Sequence, residues 1–251
     1  MPRFFVDKIN INDEKINIVG NDVKHIKNVL RMHEGDSIQL CDGASMDYEC
    51  IIEEFQNDLI MCRILFEGCS VTEPKVKITL FQGMPKGDKL ENIIQKCIEL
   101  GIAEIVPMLT RRTIVKFENK KDIDKKTTRF NKIALEAGKQ CNRGAIPNVR
   151  KPMTIKGAIK YAKQFDLKII AYENEKENRI KNIITEANNG DCKDYKNIAI
   201  FIGPEGGFAE EEVELAFKEG IIPITLGKRI LRTETAGPAI LAMLMYELDE
   251  I

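Results

Sequence analysis

Two segments near the C-terminal end decide the fold: Gly203-Pro204-Glu205-Gly206-Gly207-Phe208 and Leu226-Gly227-Lys228-Arg229-Ile230-Leu231-Arg232-Thr233-Glu234-Thr235-Ala236. Each follows a short apolar run, at 198–202 and 221–225, and precedes a helical pattern. The first run is apolar on both faces, which is typical of a parallel strand covered on both sides. Because open α/β sheets bind ligands at the carboxyl ends of their strands, we expect two adjacent parallel strands to carry a ligand site here.

The charges around these segments restrict the ligand. Glycine-bearing loops commonly cradle a nucleotide phosphate at a helix N-terminus. Glu205 and the run Glu210-Glu211-Glu212 would repel a phosphate, however, and the chain contains neither G-x-G-x-x-G nor G-x-x-x-x-G-K-[ST]. An adenine-bearing ligand with positive charge and no phosphate fits better, and S-adenosylmethionine, a sulfonium, is one such ligand.

The two segments resemble the C-terminal signature of the SPOUT methyltransferases. Within that superfamily the chain is most similar to the bacterial 16S ribosomal RNA uracil-N3 methyltransferases, the RsmE family. The resemblance implies S-adenosylmethionine as the cofactor, a C-terminal trefoil knot, a homodimer, and 16S ribosomal RNA in the small ribosomal subunit as the substrate. It implies cofactor contacts at Tyr172, Gly203, Gly206, Gly207, Leu226, Gly227, Ile230, Leu231, Thr235 and Ala236.

Composition indicates an ordinary globular chain. It has 251 residues, of which 43% are hydrophobic and 31% charged, enough for one large domain or two small ones. The formal net charge of −1 means that any RNA-binding surface must be local. Seven cysteines without a C-x-x-C pair predict reduced thiols, with neither a disulfide framework nor a metal site. We see no signal peptide, and the longest apolar stretch, 239–246, is too short for a membrane span, so we expect a cytoplasmic protein.

The pattern changes between residues 67 and 77, which predicts two domains. Residues 1–70 read as mostly β, with strands at 37–41, 46–53 and 58–66 and a short helix after Asn21-Asp22 that buries Val23, Ile26, Val29 and Leu30. The resemblance makes this a PUA-like RNA-binding β-barrel domain. Residues 74–251 alternate strands and helices, which predicts a mainly parallel α/β sheet, the SPOUT methyltransferase domain.

Two further helices stand out in the second domain. Asp88 and Glu91 form a D-x-x-E capping-box pattern before a helix with a clear apolar face. The last helix is expected to begin near Thr235 with Pro238 in its first turn, and 239–246 is apolar nearly all round. Such a helix is either the central helix of a monomer or a subunit interface, and the resemblance favours a homodimer.

Candidate RNA contacts lie in three places. In the first domain they are Arg3 and Arg31. The stretch 111–132 has nine Lys or Arg, including Arg111 and Arg112, against three acidic residues, which is either a phosphate-backbone footprint or a solvated mobile loop. Around residue 140, Gln140, Asn142 and Arg143 match a family segment near the active site, and such polar groups can pair with uracil edges or a phosphate.

Methyl transfer to uracil N3 requires the methyl group to be aimed at the base and the N3 proton to leave. Arg232 can stabilise the uracil oxygens as charge develops. Glu234 can accept the proton, directly or through water, or brace the loop, and we favour bracing because a carboxylate would oppose a developing anion. Solvent is an alternative acceptor of the proton. Alternative functions are ribose 2′-O methylation by a related SPOUT enzyme, a non-catalytic RNA-binding protein, and a phosphate-binding α/β enzyme.

Overall fold

A computed structural model describes residues 1–186 and 195–250. The chain forms two compact units. The first comprises Met1–Glu73 together with Gly138–Ile146, and the second comprises Pro74–Ala137 and Pro147–Ile251. The sequence places the boundary between residues 70 and 74 but assigns Gly138–Ile146 to the second domain. One of the seven cysteines, Cys192, lies outside the described residues.

The first unit is built on one five-stranded sheet. Its strands are β1 (Arg3–Phe5), β2 (Lys15–Val19), β3 (Ser37–Cys41), β4 (Met46–Phe55) and β5 (Leu59–Cys69). They pair in the order β1-β3-β4-β5-β2, antiparallel except for β1 with β3. The predicted β domain is confirmed, with β1 and β2 added to the three predicted strands.

The short helix of this unit differs from its prediction. It begins as α1 (Asn21–Lys24) and continues as a π-helical turn over His25–Val29, in which Leu30 N donates to His25 O. A π turn holds more residues than an α turn, so the side chains after it point in other directions. Val23 and Ile26 are buried as predicted, but Val29 and Leu30 are exposed. The prediction that all four residues lie on one buried face is therefore wrong.

Ion pairs tie the segment Gly138–Ile146 into the first unit. The Glu73 carboxylate accepts from Arg143 Nε at 2.8 Å and Nη2 at 2.7 Å, and from the backbone N–H groups of Gly144 and Ala145. Burial raises the pKa of Glu73, but these hydrogen bonds outweigh burial and hold the pKa below its ordinary value. A Cβ at Gly144 would lie 2.2 Å from Ser70, so only glycine fits there.

The second unit contains a parallel sheet. Its strands are β6 (Lys77–Gly83), β7 (Glu104–Leu109), β8 (Asn148–Val149), β9 (Met153–Thr154), β10 (Leu167–Ala171), β11 (Asn197–Ile202) and β12 (Ile222–Ile224). The order is β12-β10-β11-β6-β7-β8, with β9 also on β7, and every pair is parallel. The predicted parallel sheet is confirmed. β10 lies between β11 and β12, so the expectation that the two glycine loops follow adjacent strands is wrong.

Helices cover this sheet. They are α2 (Lys89–Glu99), α3 (Lys120–Gln140), α4 (Ile155–Tyr161), α5 (Ile180–Glu186), α6 (Glu210–Lys218) and α7 (Thr233–Glu247). α2 buries its predicted apolar face, but the capping box is absent because the Asp88 side chain makes no cap hydrogen bond. The Glu91 carboxylate pairs instead with Arg129 at 2.8 Å.

The last helix, α7, packs against β6, β11 and α2. It begins at Thr233 with Arg232 as its N-cap, so Pro238 falls in the second turn and not, as predicted, in the first. One side buries Ile240, Leu241, Leu244 and Met245, whereas Met243 and Tyr246 are exposed. The trefoil knot implied by the resemblance stays a prediction. Among the described residues, no helix combines the length and apolar character that crossing a bilayer requires.

Candidate functional site

A cavity of about 490 Å³ lies in the second unit, at the carboxyl ends of β10, β11 and β12 and the start of α7. Nine of the ten residues expected to hold the cofactor line it: Tyr172, Gly203, Gly206, Gly207, Leu226, Gly227, Ile230, Leu231 and Ala236. Thr235 is exposed on α7 and is not among the lining residues. Both candidate catalytic residues, Arg232 and Glu234, also line the cavity.

The loop after β11 is a tight turn in which Gly207 N donates to Pro204 O at 2.9 Å. Gly207 has φ +67°, a left-handed conformation that glycine adopts without strain. A Cβ at position 83, at the end of neighbouring β6, would lie 2.5 Å from Pro204. Glycine at 83 therefore allows the end of β6 to approach this loop closely.

The loop after β12 forms the opposite wall. Tyr172 N donates to Ile224 O at 3.0 Å, so this wall is joined to the end of β10. Gly227 has φ +109°, and its N–H donates to Thr225 Oγ1. Ile230 lines the cavity although 88% of its surface is exposed. An apolar side chain that reaches both the cavity and solvent is suited to covering a bound ring.

A buried relay of hydrogen bonds fixes the start of α7. Gln82 Nε2 donates to Thr233 Oγ1 at 2.9 Å, and Thr233 Oγ1 donates to Gly203 O at 2.6 Å. Gln82 is fully buried and Thr233 is 6% exposed. The relay joins the ends of β6 and β11 to α7 at the cavity wall. Sequence reasoning missed both residues, because a polar residue closing an apolar strand gives no periodic signal.

Charged side chains of both signs line the cavity. Lys89 Nζ lies 2.9 Å from Glu205 Oε1 and 3.5 Å from Glu234 Oε2. The hydrogen bond to Glu205 raises the pKa of Lys89, and the negative charge of Glu234 raises it further. Glu234 Oε2 is shielded from solvent, and Lys89 Nζ is its ion-pair partner. Lys89 was not among the residues that the sequence indicates for the site.

The candidate RNA contacts differ in their surroundings. In the second unit, Arg111 pairs with Glu211 at 2.8 Å, and Arg112 Nη1 donates to Gly206 O at 2.7 Å. In the first unit, Arg31, Gln140 and Asn142 are exposed. Arg3 pairs with Asp47, and Arg143 is 5% exposed in its pair with Glu73. The structure thus leaves three of the first-unit candidates at the surface and places two in ion pairs.

Metal ligands do not cluster in the described part of the chain. Within residues 1–186 and 195–250, no group of three or more His, Cys, Asp or Glu side chains is placed to hold a metal ion.

Comparisons with known proteins identify the family of the chain. The model of an RNA methyltransferase domain matches residues 72–245, and that of an RNA methyltransferase PUA domain matches 18–65. The ribosomal RNA small subunit methyltransferase E of Bacillus subtilis is 34% identical, covering 99% of this chain and 98% of the relative. The chain belongs to the ribosomal RNA small subunit methyltransferase E family.

Other members of the methyltransferase E family match over similar lengths. The protein of Mesomycoplasma hyopneumoniae is 33% identical, covering 94% of this chain and 96% of the relative. The crystal structure of the Neisseria gonorrhoeae methyltransferase E, bound to S-adenosyl methionine, superposes with a TM-score of 0.82 at 29% identity, covering 98% of each chain. The expected SPOUT and PUA-like architecture is that of this family.

Proposed function

We propose that the chain is an S-adenosylmethionine-dependent methyltransferase that modifies N3 of a uracil in 16S ribosomal RNA of the small ribosomal subunit. The observation that carries the proposal is the convergence of nine expected cofactor residues on one cavity. Its volume, about 490 Å³, falls within the range of small-molecule sites, about 300–1,000 Å³. The names of the methyltransferase E relatives support the ribosomal RNA substrate.

The cavity residues fit this cofactor. Glycine backbones can lie close to a flat adenine, and carboxylates of Glu173, Glu205 and Glu234 share the wall with Lys89, Arg229 and Arg232. S-adenosylmethionine carries a sulfonium, an ammonium and a carboxylate, so a cavity wall with both negative and positive side chains suits it.

When bound, S-adenosylmethionine supplies the methyl group on its sulfonium. The residues of the chain hold and orient the reactants, and such positioning supplies a large part of the rate. Arg232 lines the cavity as the N-cap of α7 and is exposed, which supports a role in stabilising the uracil oxygens as charge develops. Glu234 braces the cavity wall through its ion pair with Lys89, and this pair supports bracing over proton acceptance as the role of its carboxylate.

For RNA binding we propose that Arg31, Gln140 and Asn142 contact the substrate from the first unit. Arg3 and Arg143 then support them, since Arg3 donates to the Asn142 carbonyl and Arg143 anchors the segment to Glu73. In the second unit, exposed basic residues of α3 and Arg111 supply contacts to phosphates.

We also propose a homodimer that acts in the cytoplasm, where small ribosomal subunits are found. The exposed side of α7 supports the dimer. On this side Ala239 and Ala242 are half-buried, whereas Met243 and Tyr246 are exposed. The spacing of the four residues places them on one helix face. An apolar helix face in solvent is typical of a protein interface.

The deciding experiment incubates the purified protein with labelled S-adenosylmethionine and small ribosomal subunits that lack the modification, followed by digestion and identification of the methylated nucleoside. We expect 3-methyluridine. Label on a ribose would establish the cofactor but replace base methylation by ribose 2′-O transfer. Absence of both transfer and cofactor binding would favour a non-catalytic RNA-binding protein.

A further inference from the structure

Two side chains from different loops flank the Gly206-Gly207 pair on the cavity wall. Arg112 follows β7, and its Nη1 donates to Gly206 O at 2.7 Å. Glu173 follows β10, and its Oε1 lies 4.0 Å from the same Nη1. In the sheet, β10 lies on one side of β11, whereas β6 and β7 lie on the other. The pair therefore reaches the loop after β11 from both sides.

Side chains at these two positions would meet the Arg112–Glu173 pair. A Cβ at position 206 would lie 3.2 Å from Arg112 Cβ and 3.5 Å from its Cδ, so the aliphatic part of the arginine occupies that space. A Cβ at position 207 would lie 2.7 Å from Glu173 Oε1. Each glycine thus makes room for one member of the Arg112–Glu173 pair.

We propose that Arg112, paired with Glu173, is a positioning residue that fixes the Gly206-Gly207 backbone for S-adenosylmethionine. The inference rests on the proposed function of this cavity and adds a residue to it. Arg112 has about half of its side chain exposed. Its guanidinium nevertheless donates to the Gly206 carbonyl on the cavity wall. Its main effect is therefore on the binding of the cofactor, and any contact with an RNA phosphate is secondary.

Titration calorimetry of S-adenosylmethionine binding without RNA tests this role. Arg112→Met keeps the aliphatic part of the side chain and removes the guanidinium. Because one hydrogen bond and one half-exposed pair are lost, we expect the Kd to rise about threefold to tenfold. Arg150→Met is the matched control, since Arg150 is also half-exposed and paired with a glutamate, Glu104, away from the cavity. Its Kd should equal that of the wild type.

A double-mutant cycle tests the packing directly. Gly206→Ala alone pushes a methyl group against Arg112 and should weaken cofactor binding. Arg112→Gly removes Cβ, the atom nearest this methyl group at 3.2 Å, together with the rest of the side chain, so Gly206→Ala should cost less in the Arg112→Gly background. Circular dichroism of each variant separates loss of binding from loss of folding. Additive effects on the Kd would contradict the packing argument.

The outcomes separate this inference from the proposed function. If the wild type binds S-adenosylmethionine and Arg112→Met binds it equally well, but binds small-subunit RNA more weakly, Arg112 is an RNA contact and the positioning role is wrong. If the wild type binds no S-adenosylmethionine, the proposed function fails and the positioning role fails with it. A raised Kd for Arg112→Met alone, with the RNA affinity of the cofactor-free protein unchanged, supports the role.

Discussion

At the scale of single residues, Lys89 holds two carboxylates on the cavity wall that belong to different elements. Glu205 lies in the loop after β11, and Glu234 lies in the first turn of α7. Without the ammonium group the two carboxylates would repel each other. We infer that Lys89 keeps the loop after β11 and the start of α7 at a fixed separation.

Replacing Lys89 tests that inference. We expect Lys89→Met to raise the Kd for S-adenosylmethionine about threefold to tenfold, measured by calorimetry, because both half-exposed pairs are lost. Lys89→Arg should recover most of the affinity, since a guanidinium can serve both carboxylates. Lys96→Met removes a comparable exposed pair, with Glu99 on α2, and should have no effect. Equal affinities for Lys89→Met and the wild type would show that the loop and the helix are held by other contacts.

Glu73 predicts how the first unit responds to acid. Its folded-state pKa lies below the ordinary value of 4.5, so its carboxylate stabilises the fold above about pH 4.5, and this stability is lost as the pH falls through the folded-state pKa. At pH 7 we expect Glu73→Gln to lower the free energy of unfolding by about 1.5–3 kcal/mol. The difference from the wild type should shrink below about pH 4.5. Urea unfolding at several pH values measures it, and a difference independent of pH would contradict the assignment.

At the scale of elements, the relay from Gln82 through Thr233 to Gly203 sets where α7 begins. Thr233→Val keeps the shape of the side chain but removes the hydroxyl that donates to the Gly203 carbonyl and one of the two acceptors of Gln82 Nε2, which keeps Gly83 O. Buried polar groups left unpaired cost about 1–3 kcal/mol each, so we expect a loss of at least about 1 kcal/mol in urea unfolding. Thr233→Ser retains the hydroxyl and should lose less. Equal losses for the two variants would show that packing, and not the relay, matters.

Local patterns predicted most elements, because burial on a sheet leaves apolar runs in the sequence. The apolar run 198–202, which lies in β11, and the apolar face of α2 are examples. The position of β10 between β11 and β12 was not predictable in this way, since strand order depends on crossovers and not on the strands themselves. The π turn at His25–Val29 likewise leaves no mark on an apolar pattern that fits an α-helix.

The residues of the candidate site likewise fall into those that a local motif predicts and those that it does not. Its glycine loops were found because glycine and the residues around them form a readable motif. Lys89 was missed because its partners are 116 and 145 residues away in the chain, and Gln82 was missed because its partner is 151 residues away. Side-chain contacts between distant residues exist only once the sheet order is known.

At the scale of the whole molecule, the exposed side of α7 predicts a homodimer in solution. Met243 is 40% exposed and Tyr246 is 71% exposed on this side. In a two-fold contact the same face of both copies is buried, so a carboxylate placed on that face is buried without a partner in each copy. We therefore expect Met243→Glu with Tyr246→Glu to convert a dimer into a monomer, measured by light scattering.

Phe217→Glu provides the control for that experiment. Phe217 is 66% exposed on α6, so the substitution removes a similar apolar surface elsewhere in the second unit and should leave the dimer intact. A monomeric wild type, or a dimer that survives both substitutions on α7, would show that this face is not the interface.

The chain passes between the two compact units three times, at 73/74, 137/138 and 146/147. A cut at the first crossing would therefore give two incomplete pieces. The N-terminal piece would lack the nine residues 138–146 and leave the Glu73 carboxylate without Arg143, whereas the C-terminal piece would carry those residues without their partner. Neither unit can be expressed, exchanged or inherited as one uninterrupted stretch, so genetic transfer of the PUA-like unit requires a coordinated change in the middle of the methyltransferase sequence.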